Sequence, residues 1–215
     1  MNENLPSGQY DVSKKNKFRK FYDNYKILIF SILSFFLIIL ASLNIYSYLQ
    51  KQKKISLSNK YATAQIYIKN QNKIEAFKIL NKIIYSDDST YSTLSLFEMI
   101  DEKLESDNGK ISKLFVHILE NNKFDKEVKN LIILKKAIFE TNFSEEQRLL
   151  ETIKPLINEK TLWKPHALII AGNYFYSKGE NLKAKDFFIQ VLDIENINKE
   201  LLDQAKFKLR LILND

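Results

Sequence analysis

The chain has 215 residues, 45% of them hydrophobic and 27% charged, a composition that excludes a disordered tail protein. Four glycines and three prolines leave too little turn chemistry for a hairpin-rich sandwich or barrel, so the expected class is all-α. The lack of cysteine excludes disulfides, thiolate catalysis, cysteine-ligated zinc and thiol lipidation. The net charge of +7 is spread over segments in which lysines alternate with Asp and Glu, not the one-sided basic face of a nucleic-acid binder.

Residues 1–26 form a basic leader containing Lys14, Lys15, Lys17, Arg19, Lys20 and Lys26. From Ile27 to Gln50 there follow 24 positions without a charge. At about 1.5 Å per residue, 27–49 is long enough to cross a hydrocarbon core of about 30 Å with some tilt. Tyr22, Tyr25, Tyr46 and Tyr48 fall at its two ends, where amphipathic rings favour the interfaces. The apolar run is longer than a signal-peptide core and has no small-x-small cleavage site after it, so a retained transmembrane helix is expected. Six basic residues before it against Lys51, Lys53, Lys54 and Lys60 after it place the N-terminus in the cytoplasm and residues 50–215 on the far side, the periplasm in a bacterium.

Beyond the span, apolar residues recur at helical spacing. Leu94, Phe97, Ile100 and Leu104 form one stripe; Ile111, Leu114, Phe115, Ile118 and Leu119 a second; Val128, Leu131, Leu134 and Ile138 a third. Leu149, Ile153, Leu156 and Ile157, then Leu202, Ala205, Leu209 and Ile212, complete the series. Polar breaks between the stripes predict helices over 56–70, 73–86, 91–105, 110–121, 126–140, 144–157, 163–178, 181–194 and 198–213. Ser144 with Gln147 three positions on reads as a capping box, Pro155 is expected to end or bend its helix in the last turn, and Pro165 suits a first turn. Residues 51–60, KQKKISLSNK, permit either a rigid stalk or a hinge.

The predicted helices pair into four hairpins starting near 57, 90, 126 and 165, followed by a closing helix. The period of about 33–39 residues is close to that of the tetratricopeptide repeat. The fourth hairpin carries Gly172 before Phe175 and Ala184 before Phe188; the first carries Ala64 before Tyr67 and Ala76 before Leu80. The same 12-residue step separates the small residues in both, as expected where two helices cross closely. On such an array the first helix of each hairpin lines the concave side. The positions expected to be exposed there, and so to bind a partner, are Tyr61, Gln65 and Ile68 in hairpin one and His166, Ile169, Asn173 and Tyr176 in hairpin four. An amide at Gln65 or Asn173 is suited to an extended peptide backbone. Ordinary surface, or contact with the closing helix, is the competing reading of the same positions.

The leader and anchor FRKFYDNYKILIF, the lysine-rich exit and the pairs Ala64/Ala76 and Gly172/Ala184 together resemble the bacterial ancillary SecYEG translocon subunit family. The resemblance implies an inner-membrane adaptor beside the Sec translocon, facing periplasmic folding factors. Scaffolding of another envelope assembly, in cell-wall, division or cytochrome maturation, is the alternative.

No enzymatic activity, cofactor, metal or small-molecule substrate is expected. The two histidines, His117 and His166, lie in separate hairpins without an HExxH partner, and glycines stand only at 8, 109, 172 and 179, which excludes P-loop, GxSxG and GxGxxG motifs. The acidic neighbours Asp87/Asp88, Asp101/Glu102 and Glu145/Glu146 read as solvated or helix-start charge. Trp163 is expected to pack between hairpins three and four, with an exposed partner anchor as the alternative.

Overall fold

The computed structural model describes residues 12–214; the start of the leader, residues 1–11, lies outside them. Every regular element among the described residues is a helix: α1 (Val12–Lys69), α2 (Lys73–Ile84), α3 (Ser89–Asp101), α4 (Asn108–Asn121), α5 (Lys126–Glu140), α6 (Glu146–Asn158), α7 (Lys164–Ser177), α8 (Asn181–Leu192) and α9 (Lys199–Asn214). The chain divides into two units, Met1–Ile55 and Ser56–Asp215.

The first unit contains most of α1. No glycine or proline occurs within α1, so neither breaker interrupts it, and residues 51–60 are helical too. The predicted span and first repeat helix are therefore parts of one element. Its most apolar window has a mean hydropathy of 2.0 and no buried residue, which makes it long and apolar enough to cross a membrane. Two polar side chains in the run turn inward on the backbone: Ser42 Oγ donates to the Ile38 carbonyl at 2.6 Å and Asn44 Nδ2 to the Leu40 carbonyl at 2.9 Å. This hides donors that hydrocarbon could not satisfy.

In the second unit the end of α1 and helices α2–α9 enclose two apolar clusters. One runs from Leu57 and Ala64 of α1 to Ile132 of α5; the other runs from Leu134 and Ala137 of α5 to Ala205 of α9. Helix α5 is their common wall. Consecutive helices from α2 onward pack on one another, and α5 with α7, and α7 with α9, also pack directly.

Local chemistry sets the boundaries. Asn72 caps α2 by accepting from Glu75 N; Asp88 caps α3 through Oδ1, with Thr90 N at 3.1 Å and Tyr91 N at 2.9 Å; Asp107 caps α4 by accepting from Lys110 N. These bonds satisfy first-turn amides that no helical carbonyl reaches. The expected capping box at Ser144 does not form. Glu145 is the N-cap of α6, Ser144 lies buried, its carbonyl accepts from Tyr174 Oη at 3.1 Å, and Gln147 turns to Glu151 instead. Pro155 sits within the last turn of α6, which runs on to Asn158, and Pro165 sits in the first turn of α7.

Two predicted stripes are displaced. On α3 the buried residues are Ser92, Ser95, Leu96 and Met99, while Leu94 is exposed. Ser92 Oγ donates to the Ile83 carbonyl, so a small hydroxyl rather than a leucine faces α2. On α5 the buried face is Asn130, Ile132, Leu134, Ala137 and Glu140, and Val128 and Ile138 are exposed.

Candidate functional site

The seven positions expected to be exposed and to meet a partner differ in burial. Gln65 is exposed; Tyr61, Ile68, His166, Asn173 and Tyr176 are half-buried; Ile169 is buried. The expectation for Ile169 is corrected: it belongs to the core shared by α5–α9. Ile68 packs on the edge of the other core, and Tyr176 lies under Lys208 of α9, whose Nζ is 5.4 Å from its ring centroid. The closing helix thus covers part of this face.

Two polar atoms on α7 remain without partners. His166 Nδ1 and Asn173 Oδ1 are both buried and meet no hydrogen-bonding group. They stand seven residues apart on one helix, two turns and so about 10 Å along one stripe. A buried polar group left unpaired costs about 1–3 kcal/mol, which a ligand would recover by donating to Asn173 Oδ1 and by donating to or accepting from His166 Nδ1 according to its tautomer. The His166 ring lies 5.6 Å from that of Trp163, whose indole N–H donates to the Glu127 carbonyl at 3.0 Å. Trp163 is therefore packed between the third and fourth hairpins.

At the other end of the unit, Tyr61 is committed to the fold. Its hydroxyl donates to Glu98 Oε2 of α3 at 2.8 Å, and its ring sits 6.2 Å from Tyr91. Burial, then the Glu98 carboxylate, push the phenol up to about 12. Because the unfolded chain ionises Tyr near 10, the stabilisation from this hydroxyl is complete below pH 10 and is lost as pH rises toward 12. Urea unfolding followed across this window should show a fall in stability for the wild type that Tyr61→Phe lacks, Tyr61→Phe being less stable at pH 8 by about 1.5 kcal/mol. Equal pH slopes for the two proteins would contradict the assignment.

The small-residue pairs occupy close approaches. Ala64, Ala76, Leu80, Ala184 and Phe188 are fully buried, Gly172 and Phe175 are buried, and Tyr67 is half-buried. Gly172 faces the Phe188 ring, not Ala184: a Cβ there would lie 2.7 Å from Cε1 and Cζ. Phe175 stacks on Phe187 at 5.4 Å, and Lys183 Nζ lies 5.0 Å from the Phe175 centroid. The carboxylates of Glu146 and Glu180 hold that lysine and raise its affinity for a proton.

A charged knot that periodicity did not expose joins α4, α5 and α6. The Glu140 side chain is fully buried. Its Oε1 accepts from Arg148 Nε at 3.1 Å and Ser112 Oγ at 3.3 Å, with Lys136 Nζ at 3.7 Å; Oε2 accepts from Thr152 Oγ1 at 2.8 Å. Lys136 Nζ also donates to Thr152 Oγ1. A cleft of about 460 Å³ lined by Lys136, Glu145, Gln147, Arg148, Glu151 and Thr152 opens beside it. With both oxygens occupied, the carboxylate is arranged to bind helices together. The spacing Lys136, Glu140, then Arg148 and Thr152 on the next predicted helix was the available sequence signal.

His117 is half-buried within α4, its ring 4.6 Å from Tyr85 and its Nε2 3.2 Å from Asp87 Oδ1. Among the described residues no group of three or more His, Asp or Glu is placed to hold a metal ion. Comparison with models of known protein families, with curated proteins and with solved structures finds no match.

Proposed function

We propose that the protein is a non-enzymatic adaptor, anchored by residues 27–49 with its N-terminus in the cytoplasm, whose tetratricopeptide-like solenoid binds proteins beyond the bacterial inner membrane near the Sec translocon. The observation that carries the binding role is the pair of unpartnered buried atoms, His166 Nδ1 and Asn173 Oδ1, on one stripe of α7. A peptide in the polyproline-II conformation brings its backbone groups back to the same side every three residues, about 9 Å apart, close to the distance between them. The solenoid reading is supported by the direct packing of alternate helices α5, α7 and α9 and by the contact of Tyr61 in α1 with Glu98 in α3. Anchoring raises the local concentration of the solenoid near a membrane partner without requiring tight affinity.

The experiment is crosslinking in intact membranes, mild-detergent purification of the tagged full-length chain and mass spectrometry of what accompanies it. Translocon subunits with periplasmic folding factors are expected, and their recovery should fall several-fold in Asn173→Ala. Enrichment of a different envelope complex would move the function to that assembly, and a reporter after Asp215 that reads cytoplasmic would end the proposal.

A further inference from the structure

We propose that α5 forms the second wall of the α7 site, and that the protein segment bound between them presents a basic side chain to Glu127 and a backbone carbonyl to Asn130. This rests on reading α7 as the partner-binding helix. Two hydrogen bonds fix how the helices lie. Trp163 Nε1, at the start of α7, donates to the carbonyl of Glu127 at the start of α5, and Tyr174 Oη, near the end of α7, donates to the carbonyl of Ser144, just past the end of α5. The two helices therefore run side by side in the same direction. Three residues on from Glu127 and Trp163, about 4.5 Å along each axis, stand Asn130 and His166.

Asn130 is only 7% exposed, yet its Nδ2 meets no acceptor, and Glu127 Oε2 is buried without a donor. His166 Nδ1 is the third such atom at this end of the seam. Each of these open groups lowers the stability of the fold, so folding alone does not account for three of them together. The set matches one peptide group and one cation: a carbonyl accepts from Asn130 Nδ2, and a guanidinium or ammonium donates to Glu127 Oε2.

Charge decides what Glu127 takes. Its neighbour Lys126 is engaged by Glu159 at 2.8 Å. Glu127 lines a cleft of about 700 Å³ that also carries Asp193 and Glu195 against Lys160 and Lys164, and neither of these lysines bonds Glu127 Oε2. An acidic side chain entering here would meet repulsion and leave that oxygen unpaired. A basic one neutralises it through a charge-assisted bond, stronger than a neutral hydrogen bond. The half-buried Trp163 beside it adds an aromatic ring to which the same cation is attracted.

The test titrates the full-length chain in mild detergent with a blocked heptapeptide of alanines carrying a central arginine, and with the same peptide carrying glutamine or glutamate instead. The fluorescence of Trp163, the single tryptophan, reads binding at the site itself. The arginine peptide should bind about tenfold more tightly than the glutamine peptide, and the glutamate peptide more weakly than either. E127Q should bring the arginine peptide within about twofold of the glutamine peptide and leave the latter unchanged. Asn130→Ala and Asn130→Leu each remove the unpaired donor; both peptides should bind several-fold more weakly to each, while at least one of the two variants keeps the wild-type Tm, a combination that a merely structural asparagine would not give. Equal affinities for the arginine and glutamine peptides, a preference that survives E127Q, or undiminished binding by the folded Asn130 variants would each overturn the proposal. If the glutamine peptide still binds and Asn173→Ala weakens it, the adaptor reading stands without this proposal; no response to any of the peptides would overturn both.

Discussion

Replacing Glu140 by alanine is expected to destabilise the helical domain by about 3 kcal/mol, because it breaks a buried ion pair from one side. The carboxylate has no exposed surface, and its loss strands Lys136, only 15% exposed, together with the Thr152 and Ser112 hydroxyls. The figure sits at the lower end of the usual range because Arg148 is half exposed and can turn to water. For a domain of this size the shift in Tm should be about 6–12 °C. Glu140→Gln keeps acceptors for the hydroxyls but not the charge and should fall between. Glu151→Gln, on the exposed side of α6, should stay within about 0.5 kcal/mol of wild type. Thermal unfolding of the detergent-solubilised full chain measures all three, and an unchanged Tm for Glu140→Ala would show that the carboxylate does not hold α4, α5 and α6 together.

The second large effect is expected at Gly172. Valine there should cost about 3 kcal/mol, since its Cβ would meet a Phe188 ring that is fully buried and has nowhere to move. Alanine meets the same ring but gains about 1 kcal/mol of helix propensity over glycine, so its net cost should be about 1–2 kcal/mol. The two positions should therefore couple. In a Phe188→Leu background the ring is gone and Gly172→Ala should become neutral or stabilising, a coupling of about 1 kcal/mol or more. Additive losses in urea denaturation would place the steric conflict elsewhere.

Much of the fold was legible in the sequence, for identifiable reasons. The boundaries were written in capping chemistry: Asp88 and Asp107 stand where the polar breaks predict helix starts, and both cap. Of the stripe Ile111, Leu114, Phe115, Ile118 and Leu119, the first four are buried and Leu119 is half-buried, because α4 buries only apolar side chains and one serine. Helix α5 was misread because its buried face contains Asn130, Ala137 and Glu140, and apolar periodicity gives no weight to a paired carboxylate or a small residue. The continuity of α1 was open because KQKKISLSNK has neither a breaker to end a helix nor an apolar face to hold one; the helix runs through it. At the candidate site, stripe arithmetic found His166 and Asn173 but also took Ile169 for surface. That arithmetic fixes which residues share a face and not which neighbouring helix covers it, and α9 covers this one through Lys208.

The proposed protein-binding face on α7 calls for a photocrosslinking residue placed at Asn173 in the full-length chain in living cells. A second chain with the residue at Glu120, exposed on α4, serves as reference. A discrete crosslinked protein is expected from position 173, absent from position 120 and lost when Tyr176 and His166 are replaced by alanine in a chain that remains folded. The same products from both positions, or none from 173 in a correctly integrated protein, would contradict it.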